Sequence, residues 1–226
     1  MATTHIGQVP PPTEAVAVTD DARRTTMMAA ALLLDYPTES LFAALPLIAE
    51  QVATLPPAIG GRLDRAISTL AMMQLRPAEE HYVTTFDQRR RCSLFLSYYA
   101  VGDTRQRGAA LLAFQESIAT LGFVQQREEL ADHLCVLLEV AAQAEGENHR
   151  IACDMIAAHR DGLEVLRVAL EQLGSFFADV VAAVCAVLPA IDPQTRDNFV
   201  HLIRQGPPAE LVGIGSPLPF PTYSDA

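Results

Sequence analysis

Apolar side chains recur at steps of three and four residues along most of this chain, and this spacing limits the fold more than any other feature of the sequence. Two clear runs are Leu63, Ile67, Leu70 and Met73, and Leu163, Leu166, Leu170 and Leu173. Such spacing places the apolar side chains on one face of an α-helix. No segment shows the alternation between hairpin turns that marks a half-buried strand. The sequence therefore predicts an all-α fold, a single-domain bundle of about nine or ten helices.

Proline and glycine divide the 226 residues into a helical domain and two tails. Residues 1–19 contain a run of prolines and little periodicity, and are predicted to form a disordered tail. Residues 208–226 are rich in proline and glycine and form the second tail. The helical domain spans 20–207, which is long enough for one large core. We expect that neither tail is needed for this core.

The centre of the chain predicts three helices, over 91–101, 104–121 and 127–144. Apolar residues cover the first on almost all sides, so it should be buried. The third combines a leucine-rich face with a second, acidic stripe formed by Glu128, Asp132, Cys135 and Glu139. Elsewhere, Pro46 falls inside a helical pattern and should kink or restart it. Residues 147–174 form either one long helix or a broken pair.

Charge and cysteine usage narrow the classes of function. The formal net charge is −11, and all sixteen basic residues are arginine. An acidic surface argues against nucleic-acid binding and fits a partner that carries positive charge. Four widely spaced cysteines in apolar helical contexts indicate reduced core thiols in a cytoplasmic protein. We also expect no membrane insertion, because charged residues interrupt the apolar runs and the first residues lack the pattern of a signal peptide.

No catalytic or metal-binding constellation is visible in the sequence. His149 and Cys153 have the i, i+4 spacing of two ligands on one helix face, but no second motif supplies the others. A surface histidine beside a core cysteine explains this pair better. Asp132 and His133 are neighbours in a predicted helix, so they cannot act as a base and its orienter unless the helix breaks there. We therefore expect a protein that is not an enzyme and binds no cofactor stably.

The arginine run at 89–91 leaves two interpretations open. It is either a solvated helix start with local ion pairs, or it pairs inward with the acidic stripe of 127–144. Between Glu128 and Glu171, acids outnumber arginines. This acidic half is either a solvated face or a surface for a basic partner.

Several motifs in the same order resemble a known family. FDQRRRCSLFLSYYAVGDTRQRGAALLAF is followed by LGF and then by ELADHLCVLLEV, and LLLDYPTESLFAALPLI precedes them. Together they resemble the nitrate reductase delta subunit, the NarJ-type molybdenum cofactor assembly chaperone of the TorD/DmsD-like group. The resemblance covers roughly residues 25–175.

This resemblance implies a cytoplasmic, TorD-like helical chaperone. Its partner would be the catalytic (alpha) subunit of a membrane-bound respiratory nitrate reductase, held by its N-terminal peptide until molybdenum cofactor and iron–sulfur centre are inserted. A homodimer is left open. The peptide-binding residues that it suggests are Tyr98, Tyr99, Asp132, His133, Leu134, Leu137 and Glu139. Structural roles are expected for the motif residues Phe86, Asp87, Arg91, Asp103, Arg105, Arg107 and Gly108.

Three other interpretations remain at this point. The chain is a helical scaffold or interaction protein without a client, an assembly chaperone for another molybdoenzyme, or a helical protein that binds a metal or cofactor. Binding of a reductase N-terminal peptide separates the first from a chaperone, and metal analysis of the purified protein tests the last.

Overall fold

The computed structural model describes residues 12–102, 106–125, 129–190, 193, 194 and 197. The helices within these residues are α1 Asp20–Leu33, α2 Glu39–Val52, α3 Pro57–Ala71, α4 Leu75–Tyr82, α5 Leu96–Val101, α6 Gln106–Thr120, α7 Leu134–Gln143, α8 Gly146–Ala157, α9 Arg160–Gln172 and α10 Phe177–Val187. A π-helical turn at Val83–Asp87 and a 3-10 turn at Arg90–Cys92 lie between α4 and α5. This confirms the all-α prediction.

Two nearly uniform apolar helices form the centre of the bundle. In α10, every residue except Asp179 is buried, and α1, α3 and α9 pack around it. In α7, only Glu139 and Gln143 remain outside the buried set, and α1 and α8 cover the helix. A helix that is apolar on all sides must be enclosed by others. The long apolar runs of the sequence therefore become the core, and the amphipathic helices surround them.

Two helix boundaries differ from the sequence prediction. The helix expected at 91–101 begins only at Leu96, after the 3-10 turn and a short extended stretch. The helix expected at 127–144 begins only at Leu134, so Asp132 and His133 lie in the turn before it. Both begin late because residues 94–97 and 132–134 bind each other instead of continuing their helices.

The sequence left two helical segments ambiguous, the one around Pro46 and residues 147–174. α2 runs without interruption through Pro46, so the expected restart of the helix at this residue is wrong. Pro46 is exposed, which leaves water free to bind the carbonyl that the proline cannot satisfy. Residues 147–174 form the broken pair α8 and α9, separated at Ala158 and His159. The sequence also predicts a last helix from about 193 to 204, which lies largely outside the described residues, and the tail at 208–226 lies entirely outside them.

Part of the predicted first tail packs on the domain. Residues 12–19 lie extended against the domain, where the backbone N–H of Val16 donates to Ala186 O at 2.8 Å. The backbone N–H and hydroxyl of Thr13 donate to the two carboxylate oxygens of Glu164, at 2.6 and 3.0 Å. Glu164 is 1% exposed and also accepts from Arg167 at 2.6 Å. A buried carboxylate needs such partners, so residues 12–19 belong to the domain.

We predict that a chain beginning at residue 20 is less stable than one beginning at residue 12. The shorter chain removes two hydrogen bonds from buried Glu164 and uncovers the surface on which Val16 and Val18 pack. The free energy of unfolding should fall by roughly 2 kcal/mol or more, measured by urea denaturation. In the chain beginning at residue 12, Thr13→Val removes only the hydroxyl bond and should cause a smaller loss. Equal stability of the two chains would show that residues 12–19 do not support the domain.

Candidate functional site

Two segments that are distant in sequence meet where α5 and α7 begin. The backbone N–H of Leu96 donates to Asp132 O at 3.0 Å, and that of Leu134 donates to Leu94 O at 2.8 Å. These bonds form a short antiparallel bridge centred on Phe95 and His133. We call residues 94–97 with 132–134 the joint. It fixes the starting points of both helices relative to each other.

Asp132 acts at the joint as an N-terminal cap for α5. The first N–H groups of a helix lack partners within it, and α5 has no capping side chain of its own. Asp132 accepts from Leu96 through its backbone carbonyl and from Ser97 through Oδ2, which receives both the backbone N–H at 3.2 Å and the hydroxyl. Asp132 is completely buried. A carboxylate at a helix N-terminus also gains from the helix dipole, so these contacts offset part of the cost of its burial.

His133 and Arg107 both contact Phe95. The His133 ring meets Phe95 edge-on, with centroids 5.1 Å apart, and the Arg107 guanidinium lies 5.2 Å from the Phe95 centroid. His133 is 5% exposed. The histidine named as a peptide-binding candidate is therefore packed inside the joint, where it orients Phe95.

The two tyrosines of α5 differ in their surroundings. The Tyr99 hydroxyl donates to Ser93 O at 2.9 Å and to Arg91 O at 3.2 Å. Its ring lies against Gly162 of α9, where an added Cβ would be 2.8 Å from Tyr99 Cβ. Burial raises the pKa of this hydroxyl, so it remains a hydrogen-bond donor. Tyr98 stacks edge-on against Tyr99 at 5.6 Å and is half-buried. Tyr99 thus connects the 3-10 turn at Arg90–Cys92 to α9.

The acidic stripe predicted for 127–144 does not exist as a continuous face. Asp132 precedes the helix, and Cys135 is completely buried. Leu134 and Leu137 are completely buried as well, so neither contacts solvent in this conformation. Glu128 lies outside the described residues. Of the predicted stripe, Glu139 alone among the described residues reaches the surface.

Glu139 lies at the rim of a groove between α6 and α7. The groove has a volume of about 560 Å³. Its lining residues are Ile118, Gly122, Phe123, Val124, Gln125, Val136, Glu139, Val140 and Gln143. We call this surface the α6/α7 groove. It has an apolar floor, a carboxylate on the rim and, in Val124, an apolar side chain that is 87% exposed.

The end of α6 builds one wall of this groove. Gly122 has φ = +85°, and its N–H donates to Ala119 O at 2.9 Å. The next N–H, of Phe123, donates to Ile118 O at 3.2 Å. These two bonds form a Schellman motif, which needs a left-handed residue and brings the following apolar side chain back onto the helix. The sequence LGF after α6 therefore places Phe123 beside Ile118.

The remaining motif residues occupy varied positions. Phe86 packs on Phe177, with centroids 4.7 Å apart, whereas Asp87 and Arg91 are exposed. Gly108 is exposed, and an added Cβ would meet nothing within 4 Å. Asp103 and Arg105 lie outside the described residues.

His149 and Cys153, which have the spacing of two metal ligands, lie beside each other, with Cys153 Sγ 3.7 Å from His149 Nε2. His149 is buried, and its Nδ1 is 2.7 Å from Ala141 O. Burial raises the pKa of the Cys153 thiol to about 12, so it stays protonated at neutral pH and is a poor metal ligand. All four cysteines are buried and unbridged. Within the described ranges, no group of three or more potential ligands converges, and no helix is both long and apolar enough to cross a bilayer.

The joint and the α6/α7 groove both lie inside the range that matches a known family. The family model described as "Nitrate reductase delta subunit" matches residues 50–183, which is more than half of the chain. This chain belongs to the nitrate reductase delta subunit family. The match confirms the family seen in the motifs and runs from the end of α2 into α10, so it does not include the motif at residues 32–48.

Individual relatives support the same family. Nitrate reductase-like protein NarX of Mycobacterium tuberculosis is 34% identical over 154 residues, which are 68% of this chain but 23% of that protein. The probable nitrate reductase molybdenum cofactor assembly chaperone NarJ of Bacillus subtilis is 31% identical over 162 residues, 70% of this chain and 85% of that protein. The corresponding NarJ chaperone of Escherichia coli is 31% identical over 114 residues, 49% of this chain and 48% of that protein. The chain thus spans about a quarter of the Mycobacterium relative and about half of the E. coli one.

Sequence reasoning missed most residues of the α6/α7 groove. Phe123, Val124, Val136 and Val140 were not singled out, although the glycine after an amphipathic helix was a usable signal for the turn that places Phe123. The capping role of Asp132 had no local signal, because its partner Ser97 is 35 residues away.

We predict that Asp132→Ala destabilises the protein by about 2 kcal/mol, because the buried N–H and hydroxyl of Ser97 lose their acceptor. Urea denaturation of the full chain measures this. Asp87→Ala, at an exposed position, is the matched control and should change stability by less than about 0.5 kcal/mol. The loss in Ser97→Ala/Asp132→Ala should be smaller than the sum of the single losses, because one contact is removed twice. Equal effects of Asp132→Ala and Asp87→Ala would contradict the capping role.

Proposed function

We propose that this protein is an assembly chaperone that binds the N-terminal segment of the catalytic subunit of a respiratory nitrate reductase. Family membership and the chaperone names of the relatives from Bacillus subtilis and Escherichia coli support the proposal. The bound segment would keep the subunit accessible while molybdenum cofactor and iron–sulfur centre are inserted, before it docks at the membrane.

The α6/α7 groove is the observation that carries the peptide-binding part of the proposal. An amphipathic peptide helix binds by placing its apolar face in a groove and its charges at the rim. Here Ile118, Phe123 and Val140 line the apolar floor, and Glu139 and Gln143, one helical turn apart, line the rim. The net charge of −11 favours encounter with a basic segment. The ligand is therefore a short helix with apolar residues on one face and arginine or lysine beside them.

The peptide-binding residues suggested by the family resemblance take two roles in this proposal. Glu139 contacts the peptide directly. Leu134 and Leu137 support the floor from beneath, because they are enclosed in the core that α7 forms with its neighbours. Asp132 and His133 act through the joint, which sets where α7 begins, while Tyr99 holds α5 against α9. Direct contact of Asp132 or His133 with the peptide would require the joint to open, whereas Tyr98 is half-buried and lies outside the joint.

We also propose that the chain acts in the cytoplasm and catalyses no reaction. It carries no stably bound cofactor, since the molybdenum cofactor belongs to the client. It reaches the membrane only through the client, and a homodimer is compatible with this role. A scaffold without a client would not bind the reductase peptide, and a chaperone for another molybdoenzyme would prefer that enzyme's N-terminal segment.

We predict that Val124→Asp weakens binding of the reductase N-terminal peptide by about tenfold or more, because it places a charge where an apolar contact forms. Titration calorimetry with the full chain measures the dissociation constant. Met72→Asp is the matched control, since Met72 is 81% exposed and is not among the groove residues. Val124→Asp with the affinity of the Met72→Asp control would exclude the α6/α7 groove as the binding site.

Glu139→Gln tests the rim of the same groove. We predict that it weakens peptide binding at low salt and has little effect at high salt, because an exposed ion pair is screened by dissolved ions. The same titrations repeated at two salt concentrations measure the difference. A salt dependence identical to that of the unmodified chain would mean that Glu139 does not face a basic residue of the peptide.

A further inference from the structure

A second groove, on another part of the surface, has the opposite charge. Its lining residues are Arg89, Arg90, Arg91, Cys92, Ala169, Gln172 and Leu173, and its volume is about 330 Å³. We call it the arginine groove. All three arginines are exposed, and Leu173 is 38% exposed. The groove therefore brings Ala169 and Leu173 next to the three arginines.

These arginines lack the partners that the other arginines have. Outside the arginine groove, Arg107 lies over Phe95. All remaining arginines in the described part of the chain have a carboxylate at 3.8 Å or less. Within the described residues, none of the three arginines in the arginine groove has such a partner, and the one side-chain hydrogen bond among them runs from Arg89 to Thr84 O, at 3.3 Å. In a chain with an excess of acids, three adjacent unpaired arginines are a local exception. Among the described residues, the run forms neither local ion pairs nor a salt bridge to the stripe of 127–144, and its three arginines are exposed.

The backbone beneath the arginines is held in place. Cys92 is 1% exposed and fixes the inner side of the 3-10 turn. The Tyr99 hydroxyl binds the carbonyl oxygens of Arg91 and Ser93, and the close approach at Gly162 positions the tyrosine ring. The turn therefore presents its charges from a fixed backbone, which lowers the entropy that a ligand would have to remove.

We infer that the arginine groove binds an acidic peptide segment in extended conformation. Successive residues of a 3-10 turn point about 120° apart, so Arg90 and Arg91 cannot close together around one phosphate but can each meet a separate carboxylate. An apolar side chain between the carboxylates would pack on Ala169 and Leu173. This site is independent of the α6/α7 groove, whose ligand is basic.

The test uses a blocked, fluorescein-labelled peptide in which glutamate alternates with leucine. Fluorescence anisotropy with the full chain should show saturable binding that weakens with salt, and a peptide with glutamine in place of glutamate should not bind. Arg90→Gln/Arg91→Gln should weaken binding by at least about tenfold, because each lost contact is a charge-assisted hydrogen bond. Tyr99→Phe keeps every charge but frees the turn, and should cause a smaller loss.

The matched control is Arg76→Gln, an arginine on α4 that is exposed and paired with Glu80. It should leave the affinity for the acidic peptide unchanged. The inference fails if Arg90→Gln/Arg91→Gln binds as well as this control. It also fails if pyrophosphate displaces the peptide at equal or lower concentration, because the groove would then be a site for compact phosphates. Binding of the reductase peptide should be unaffected by Arg90→Gln/Arg91→Gln.

Discussion

The joint between residues 94–97 and 132–134 is the interaction on which the rest of the structure depends. Two backbone hydrogen bonds cross it, and the buried Asp132 carboxylate caps a helix that has no cap of its own. Residues 132–134 of the joint lead directly into α7, which begins at Leu134. Because α7 packs against α1 and α8 in the core, a change at the joint would move a central helix and not a surface loop alone.

Both candidate binding surfaces are built on elements that the joint connects. α7 supplies Val136, Glu139 and Val140 to the α6/α7 groove, and α5 supplies Tyr99, which fixes the backbone of the arginine groove. One groove has a carboxylate on its rim, and the other has three arginines without a carboxylate partner among the described residues. Under the proposed function, two surfaces of opposite charge would hold a basic and an acidic segment without competition between them.

Local patterns in the sequence predicted the helices but not the contacts between distant segments. The leucine spacing of α3 and α9 is a periodic signal, and α10 is an almost uniform apolar run. These local patterns are enough to predict the three helices. The late start of α7 could not be predicted in this way, because residues 131–134 continue a helical pattern. Their backbone hydrogen bonds to residues 94–97 prevent a helix there. The docking of Thr13 on Glu164 was missed for the same reason, since 151 residues separate them. Motif resemblance pointed to Asp132 and His133, but only the structure assigns them to the joint.

Hydrogen–deuterium exchange of the full chain, with and without the reductase N-terminal peptide, tests the central claim most directly. The account predicts slower amide exchange in the bound state at residues 118–125 and 136–143, which border the α6/α7 groove. Exchange at the arginine turn, residues 89–92, should not change. Protection confined to other helices, with the α6/α7 groove unchanged at saturating peptide, would contradict the assignment of this groove as the client-binding site.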